Sequence, residues 1–189
     1  MIRAVALVLV AAAAAASTMP LPQDAMDALT AIDTVPTRTQ LDSLLGSAAA
    51  GPALIAVAQD TSANPGVRLR AIHALAKYCP SCATSDPLGI NDVLKNLIGA
   101  NRIAITGSDV LILRAAIEAT GLLQVPGDLD TLWPLLNHTS RDIRAAAAHA
   151  LRDLCNSGAI SHLHQRYQVE SVDEVRLAIS EALRDLPCP

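Results

Sequence analysis

Three times along the chain a β-branched residue followed by Arg opens an Ala-rich stretch that closes on Ala-Leu: Val67-Arg68 through Ala74-Leu75, Ile143-Arg144 through Ala150-Leu151, and Val175-Arg176 through Ala182-Leu183. In the middle copy Ile143, Ala147, Ala150, Leu151 and Leu154 recur at helical spacing on one stripe. Val67, Ala71, Ala74, Leu75 and Tyr78 form the equivalent stripe of the first copy. A stripe this narrow cannot bury itself, so each helix must draw the rest of its core from stacked neighbours, as in a solenoid. Ala at the contacts lets helix axes approach near the lower end of the roughly 8–10 Å range. Composition agrees with this reading. Hydrophobic residues make up 51% of the chain, yet aromatics are 2% and Phe is absent, and no alternating runs of β-branched and aromatic residues occur that would suit a β-sandwich or barrel. The expected class is all-α.

The fuller unit reads Leu132-Trp133-Pro134-Leu135-Leu136-Asn137-His138-Thr139-Ser140-Arg141-Asp142-Ile143-Arg144 and then runs through Ala145–Ala148 to Ala150-Leu151. It resembles the HEAT-like repeat of the phycobilisome-lyase type, in which an apolar-Pro-Leu-Leu helix end is followed by a short Asp-bearing turn, Val-Arg, and an Ala-rich second helix. The resemblance covers roughly residues 41–189 and implies a right-handed α-solenoid of about four helix pairs. It carries no catalytic residue over to this chain. A fourth copy, Ile112 to Gly121, fits the register only with Leu113 in the Arg place. In the family that Arg commonly pairs with acidic groups near the turn, so one rung of any such ladder is expected to be missing here. His138 likewise stands where the turn Asp is usual. The longer interval from Arg68 to Leu113 contains residues 79–90 and reads as an insertion. The first helix of the last repeat is polar, with His162, His164, Gln165, Arg166, Gln168 and Glu170, and reads as a C-terminal cap.

Ahead of the repeats, residues 1–16 carry one positive charge, Arg3, followed by an apolar run with small residues at Ala14 and Ala16, as a secretory signal peptide does. An uncleaved anchor or an ordinary N-terminal helix are the alternatives. The run is shorter than the roughly 20 apolar residues that span a bilayer, and no later segment reaches that length uninterrupted. Residues 17–40 then read as a linker holding one short amphipathic helix, Gln23 to Ile32, among Pro20, Pro22 and Pro36; residues 41–189 form the repeat domain. Loss of the leader removes one of 14 basic and none of 18 acidic residues, taking the net charge from -4 to -5. A phosphate backbone calls for a concentrated basic surface, so a nucleic-acid partner is disfavoured.

Four cysteines follow the leader. An even count in an exported chain favours disulfides. Cys155 and Cys188 occupy nearly equivalent places in adjacent repeats and are paired with each other, leaving Cys79 with Cys82 in Cys-Pro-Ser-Cys. The rival reading is a redox-active accessory protein using Cys79 and Cys82. A reactive thiolate of that kind sits at a helix N-terminus, whereas Cys79 closes a helix. Tetrathiolate zinc needs two close pairs, and only one is close in sequence. His162 and His164 at i, i+2 point to different sides of a helix, so no chelate is expected and a solvated face is the better reading. No His precedes a Glu, which removes a metal enzyme resembling deoxyhypusine hydroxylase. No Gly-x-Ser-x-Gly or P-loop motif is present. No cofactor, no metal and no catalysis are expected.

What remains is a polar stripe on the second helices: Arg70, His73 and Lys77, then Glu118, then His149 and Asp153, then Glu181 and Asp185. Second helices line the concave side of such arrays, and concave surfaces are where these proteins hold partners. The expectation is a secreted or periplasmic scaffold that binds a protein or peptide along this stripe. A merely solvated face is the alternative.

Overall fold

A computed structural model describes residues 21–31, 35–186 and 188, and among these every regular element is helical. The expected leader, residues 1–16, lies outside them. Helix α1 (Gln23–Thr30) ends at Ala31 and buries Ala25 and Leu29. Helix α2 (Arg38–Leu45) starts at a reciprocal cap: the Thr37 hydroxyl accepts from the Gln40 amide, and the Gln40 side chain accepts from the Thr37 amide. Gly46 at φ +81°, a conformation that costs Gly little, turns the chain from α2 straight into the next helix.

Four helix pairs follow, the number the repeat pattern implies. The first is α3 (Ser47–Gln59) with α4 (Pro65–Leu75), whose start is set by Pro65 at the first position and by Asn64 accepting from the Gly66 amide at 2.8 Å. The second is α5 (Ile90–Asn101) with α6 (Gly107–Leu122). In the third, Pro134 breaks the first helix into α7 (Leu129–Leu132) and a 3-10 turn, Trp133–Asn137, before α8 (Arg141–Leu154). The fourth is α9 (Ala159–Val169) with α10 (Asp173–Asp185). The expected insertion appears between the first two pairs as a 3-10 turn, Ala76–Tyr78, and a run of turns reaching Gly89.

The second helices stack on one another in order, α4 on α6 on α8 on α10, and form the continuous layer of the molecule. Their stripes are the core. Ile143, Ala147, Ala150, Leu151 and Leu154 are all buried, as are Val67, Ala71, Ala74 and Leu75. Helices α6 and α8 cross in close approach: a Cβ on Gly121 would lie 2.7 Å from both Cα and O of Ala150. No single helix among the described residues is long and apolar enough to cross a membrane.

The short helix expected in the linker segment is present and packs on the repeats. Helix α1 lies against α4, and α2 begins at Arg38, ahead of the expected domain start at 41. The helix read as Gln23 to Ile32 is observed over Gln23–Thr30.

Gly99 offers a clean test of the helix assignment. It sits inside α5, and a Cβ there would meet nothing within 4 Å. Gly99→Ala should therefore raise stability by about 0.5–1 kcal/mol through the lower backbone entropy of Ala, read as a higher midpoint in urea denaturation at unchanged slope.

Candidate functional site

The arginines that open the second helices do have structural partners, each of a different kind. Arg144 donates from Nε to Glu170 at 2.7 Å and from Nη2 to the same carboxylate at 3.0 Å, and its Nη1 reaches the carbonyls of His138 and Thr139. Arg166 donates to Glu170 as well, at 2.7 Å, and the amides of Ser171 and Val172 complete the carboxylate's shell. Glu170 is only 3% exposed. The Arg144 hydrogen bonds, aided by the Val172 amide and Arg166 against the opposing effect of burial, hold its carboxyl down at about 2. Arg176 donates to the Glu170 carbonyl and lies over the Tyr167 ring at 4.4 Å. Arg68, among the described residues, donates to the Ala58 carbonyl alone. Leu113, in the fourth place, is wholly buried, so that rung is apolar.

The stripe expected to bind a partner divides in two. Arg70 donates to the Leu29 carbonyl at 3.4 Å and Lys77 Nζ to the Pro36 carbonyl at 2.9 Å. Arg70 thus ties the end of α1 to α4, while Lys77, exposed in the 3-10 turn beyond α4, ties Pro36 to that turn, so both cations of the basic end are engaged by the protein's own N-terminal part. Further along, His73 and Glu118 are brought together across α4 and α6 at 3.5 Å, with Arg114 donating to Glu118 at 2.7 Å. Burial lowers the His73 pKa, partly opposed by Glu118. His149 and Glu181 follow at the same register in α8 and α10, both half-exposed, and Asp153 accepts from its neighbour Arg152 at 2.8 Å. The sequence reading missed three leucines on this same face: Leu111, Leu122 and Leu177 are exposed, Leu122 and Leu177 at 58% and 60%. Leu122 stands at the register of Lys77 and Asp153, and Leu177 four residues before Glu181, so the i, i+4 rule sets them beside the polar row.

The cysteines pair as expected. Cα atoms of Cys79 and Cys82 are 5.1 Å apart, and those of Cys155 and Cys188 are 5.6 Å apart, both within disulfide reach. Cys79 directly follows the 3-10 turn Ala76–Tyr78, and Cys79 and Cys82 are 4% and 7% exposed. Asp86 comes within 4.8 Å of these sulfurs, but its carboxylate accepts from the amides of Ile90 and Asn91 and serves to start α5.

One histidine reading is corrected. His162 is half-exposed rather than simply solvated, because its ring stacks on Trp133 of the preceding pair, centroids 4.4 Å apart and planes 10° from parallel. His164, two residues on, is exposed. The i, i+2 spacing sets the two rings apart, and the neighbouring pair supplies the partner of one of them.

The third and fourth pairs, where the Arg144–Glu170 bond and the Ala-rich stripes are clearest, are also where a comparison with known families succeeds. A search of curated proteins finds no match. Residues 102–184 match the family described as HEAT repeats, so from α6 to α10 the chain is HEAT-like in sequence as well as in its stacked helix pairs.

Proposed function

We propose that the protein is an extracytoplasmic, non-catalytic scaffold, a right-handed solenoid of phycobilisome-lyase-type HEAT repeats that binds a protein or peptide along the exposed face of its second helices. The observation that carries this reading is the row His73, Glu118, His149 and Glu181, one residue per second helix at the same register, flanked by exposed Leu111, Leu122 and Leu177. A polar row edged with leucines suits a partner that offers both an apolar ridge and hydrogen-bonding groups. The leader-like residues 1–16 and two cysteine pairs at disulfide distance support export to an oxidising compartment. A redox role for Cys79 and Cys82 is the weaker reading, because both sulfurs are buried and the adjoining helix end disfavours a thiolate.

The test is a crosslinking pull-down with the mature protein. Leu122→Asp combined with Leu177→Asp changes two exposed positions and should leave the fold intact while weakening capture of a specific partner by about tenfold or more. Arg70→Glu with Lys77→Glu should instead detach α1 from α4, seen as faster amide exchange in residues 23–30. Capture that is indifferent to the two leucines, in equally folded protein, would end the proposal for this face.

A further inference from the structure

Arg68 and Arg144 hold the same place in their repeats, directly after Val67 and Ile143, and both are buried, 7% and 8% exposed. Their surroundings differ. Arg144 receives a carboxylate from the turn of the following pair, where Glu170 precedes Val175 by five residues. In the turn that follows Arg68 the corresponding residue, five before Ile112, is Gly107. It has no side chain to offer, its φ is +72°, and a Cβ there would meet nothing within 4 Å. The guanidinium of Arg68 therefore has one neutral acceptor, the Ala58 carbonyl, at 3.3 Å from Nε and 3.2 Å from Nη2, and no carboxylate pairs with it among the described residues.

The same turn opens a space. Helix α6 begins at Gly107, further ahead of Ile112 than α8 and α10 begin ahead of Ile143 and Val175. A cleft of about 560 Å³ lies between this extra turn, α5 and the turn before α4, and Arg68, Asn96 and Ser108 line it. Thr106 gives α6 no side-chain cap, and Ser108 and Asp109 of the first turn line the cleft, so the positive end of the helix dipole lies near it. A buried guanidinium, donor-bearing side chains and an uncapped helix start thus converge on one cleft.

We propose that this cleft binds a carboxylate, with the ligand's oxygens taking beside Arg68 the part that Glu170 takes beside Arg144. A planar guanidinium held in place by packing is matched to a carboxylate, and the charge-assisted bonds are the strong ones. Asn96 supplies a further donor, whereas the Ser108 hydroxyl donates to Asp109 at 3.5 Å. Two acids stand near the mouth: Asp109 lines the cleft and is exposed, and Asp60, at the surface, feels the Arg68 charge through space. They favour a single carboxylate on an uncharged stem over a polyanion. This site lies at the turns and is independent of the face proposed for the protein partner.

The Arg68 Nε–H resonance of the ¹⁵N-labelled mature protein reads the site directly, at constant ionic strength set with chloride. Three probes are titrated: propionate, a capped peptide with one internal Glu, and inorganic phosphate. A saturable shift of the Arg68 resonance with propionate or the peptide is the expected result. Saturation with propionate alone assigns the site to free small carboxylates, and tighter saturation with the peptide assigns it to an acidic side chain of another protein. Asn96→Asp, at an exposed position that the fold does not need, should weaken either by about tenfold. The proposal is overturned if neither carboxylate gives a saturable shift, if phosphate shifts the resonance equally well, or if Asn96→Asp, folded as the wild type, binds with unchanged affinity.

Discussion

Glu170→Ala should cost the folded chain about 3–5 kcal/mol, because it removes the one carboxylate shared by Arg144 and Arg166 and leaves a buried guanidinium uncompensated. Urea denaturation at neutral pH measures the loss, and near-wild-type stability of the variant would show that the cluster is not what joins the last two pairs. The wild type should show the same interaction through acid. The Glu170 carboxyl sits at about 2 when folded against 4.5 for an ordinary glutamate, so folding favours the ionised form. The stabilisation is complete above about pH 4.5 and is lost as the pH falls towards 2, a difference of about 3 kcal/mol. Across this window the Glu170→Ala variant should lose correspondingly less stability than the wild type.

A comparable penalty is expected at Gly121, from packing rather than charge. Its missing Cβ would lie 2.7 Å from the Ala150 Cα and carbonyl oxygen and 2.9 Å from the Ala150 Cβ. Two of these three are backbone atoms of a packed helix and cannot rotate away. Gly121→Ala should cost about 1–3 kcal/mol despite the better helix propensity of Ala, and Gly121→Val should exceed that range. The opposite sign expected at Gly99, a helical glycine with open space around it, separates close approach from propensity within one protein. Thermal melts of the three variants side by side decide the point: equal effects at the two glycines would mean that α6 and α8 do not meet as closely as described.

The parts of this architecture that depend on one helix or on adjacent repeats were readable from the residues. Ile143, Ala147, Ala150, Leu151 and Leu154 share a face by spacing alone, and all are buried. Cys155 and Cys188 could be paired because equivalent positions of neighbouring repeats are neighbours in space. The interrupted ladder was visible as Leu113. What escaped were contacts that periodicity does not encode. Helical spacing places Arg70 and Lys77 on one outward row, but it cannot show that Leu29 in α1 and Pro36 beyond it, some forty residues earlier, accept hydrogen bonds from them. His162 was assigned from its own helix, whereas its environment is set by Trp133. That no carboxylate pairs with Arg68 among the described residues is legible as Gly107 at the register of Glu170, once the pairing of Arg144 with the next turn is known. The exposed leucines were present in the sequence too, yet only the burial of their neighbours distinguishes Leu122 and Leu177 from core residues.

Leu113 gives the array two joints that answer to different conditions. Between α6 and α8 the contact is apolar, with Ile112, Leu113 and Ile117 buried and Gly121 against Ala150, and apolar burial loses strength on cooling. Between α8 and α10 an apolar seam, with Val175, Ala178, Ile179 and Ala182 buried, is reinforced by the bond of Arg144 to Glu170, and only that bond is undone by acid. Cooling would therefore weaken both joints together, whereas acidification would loosen the molecule selectively between its last two pairs.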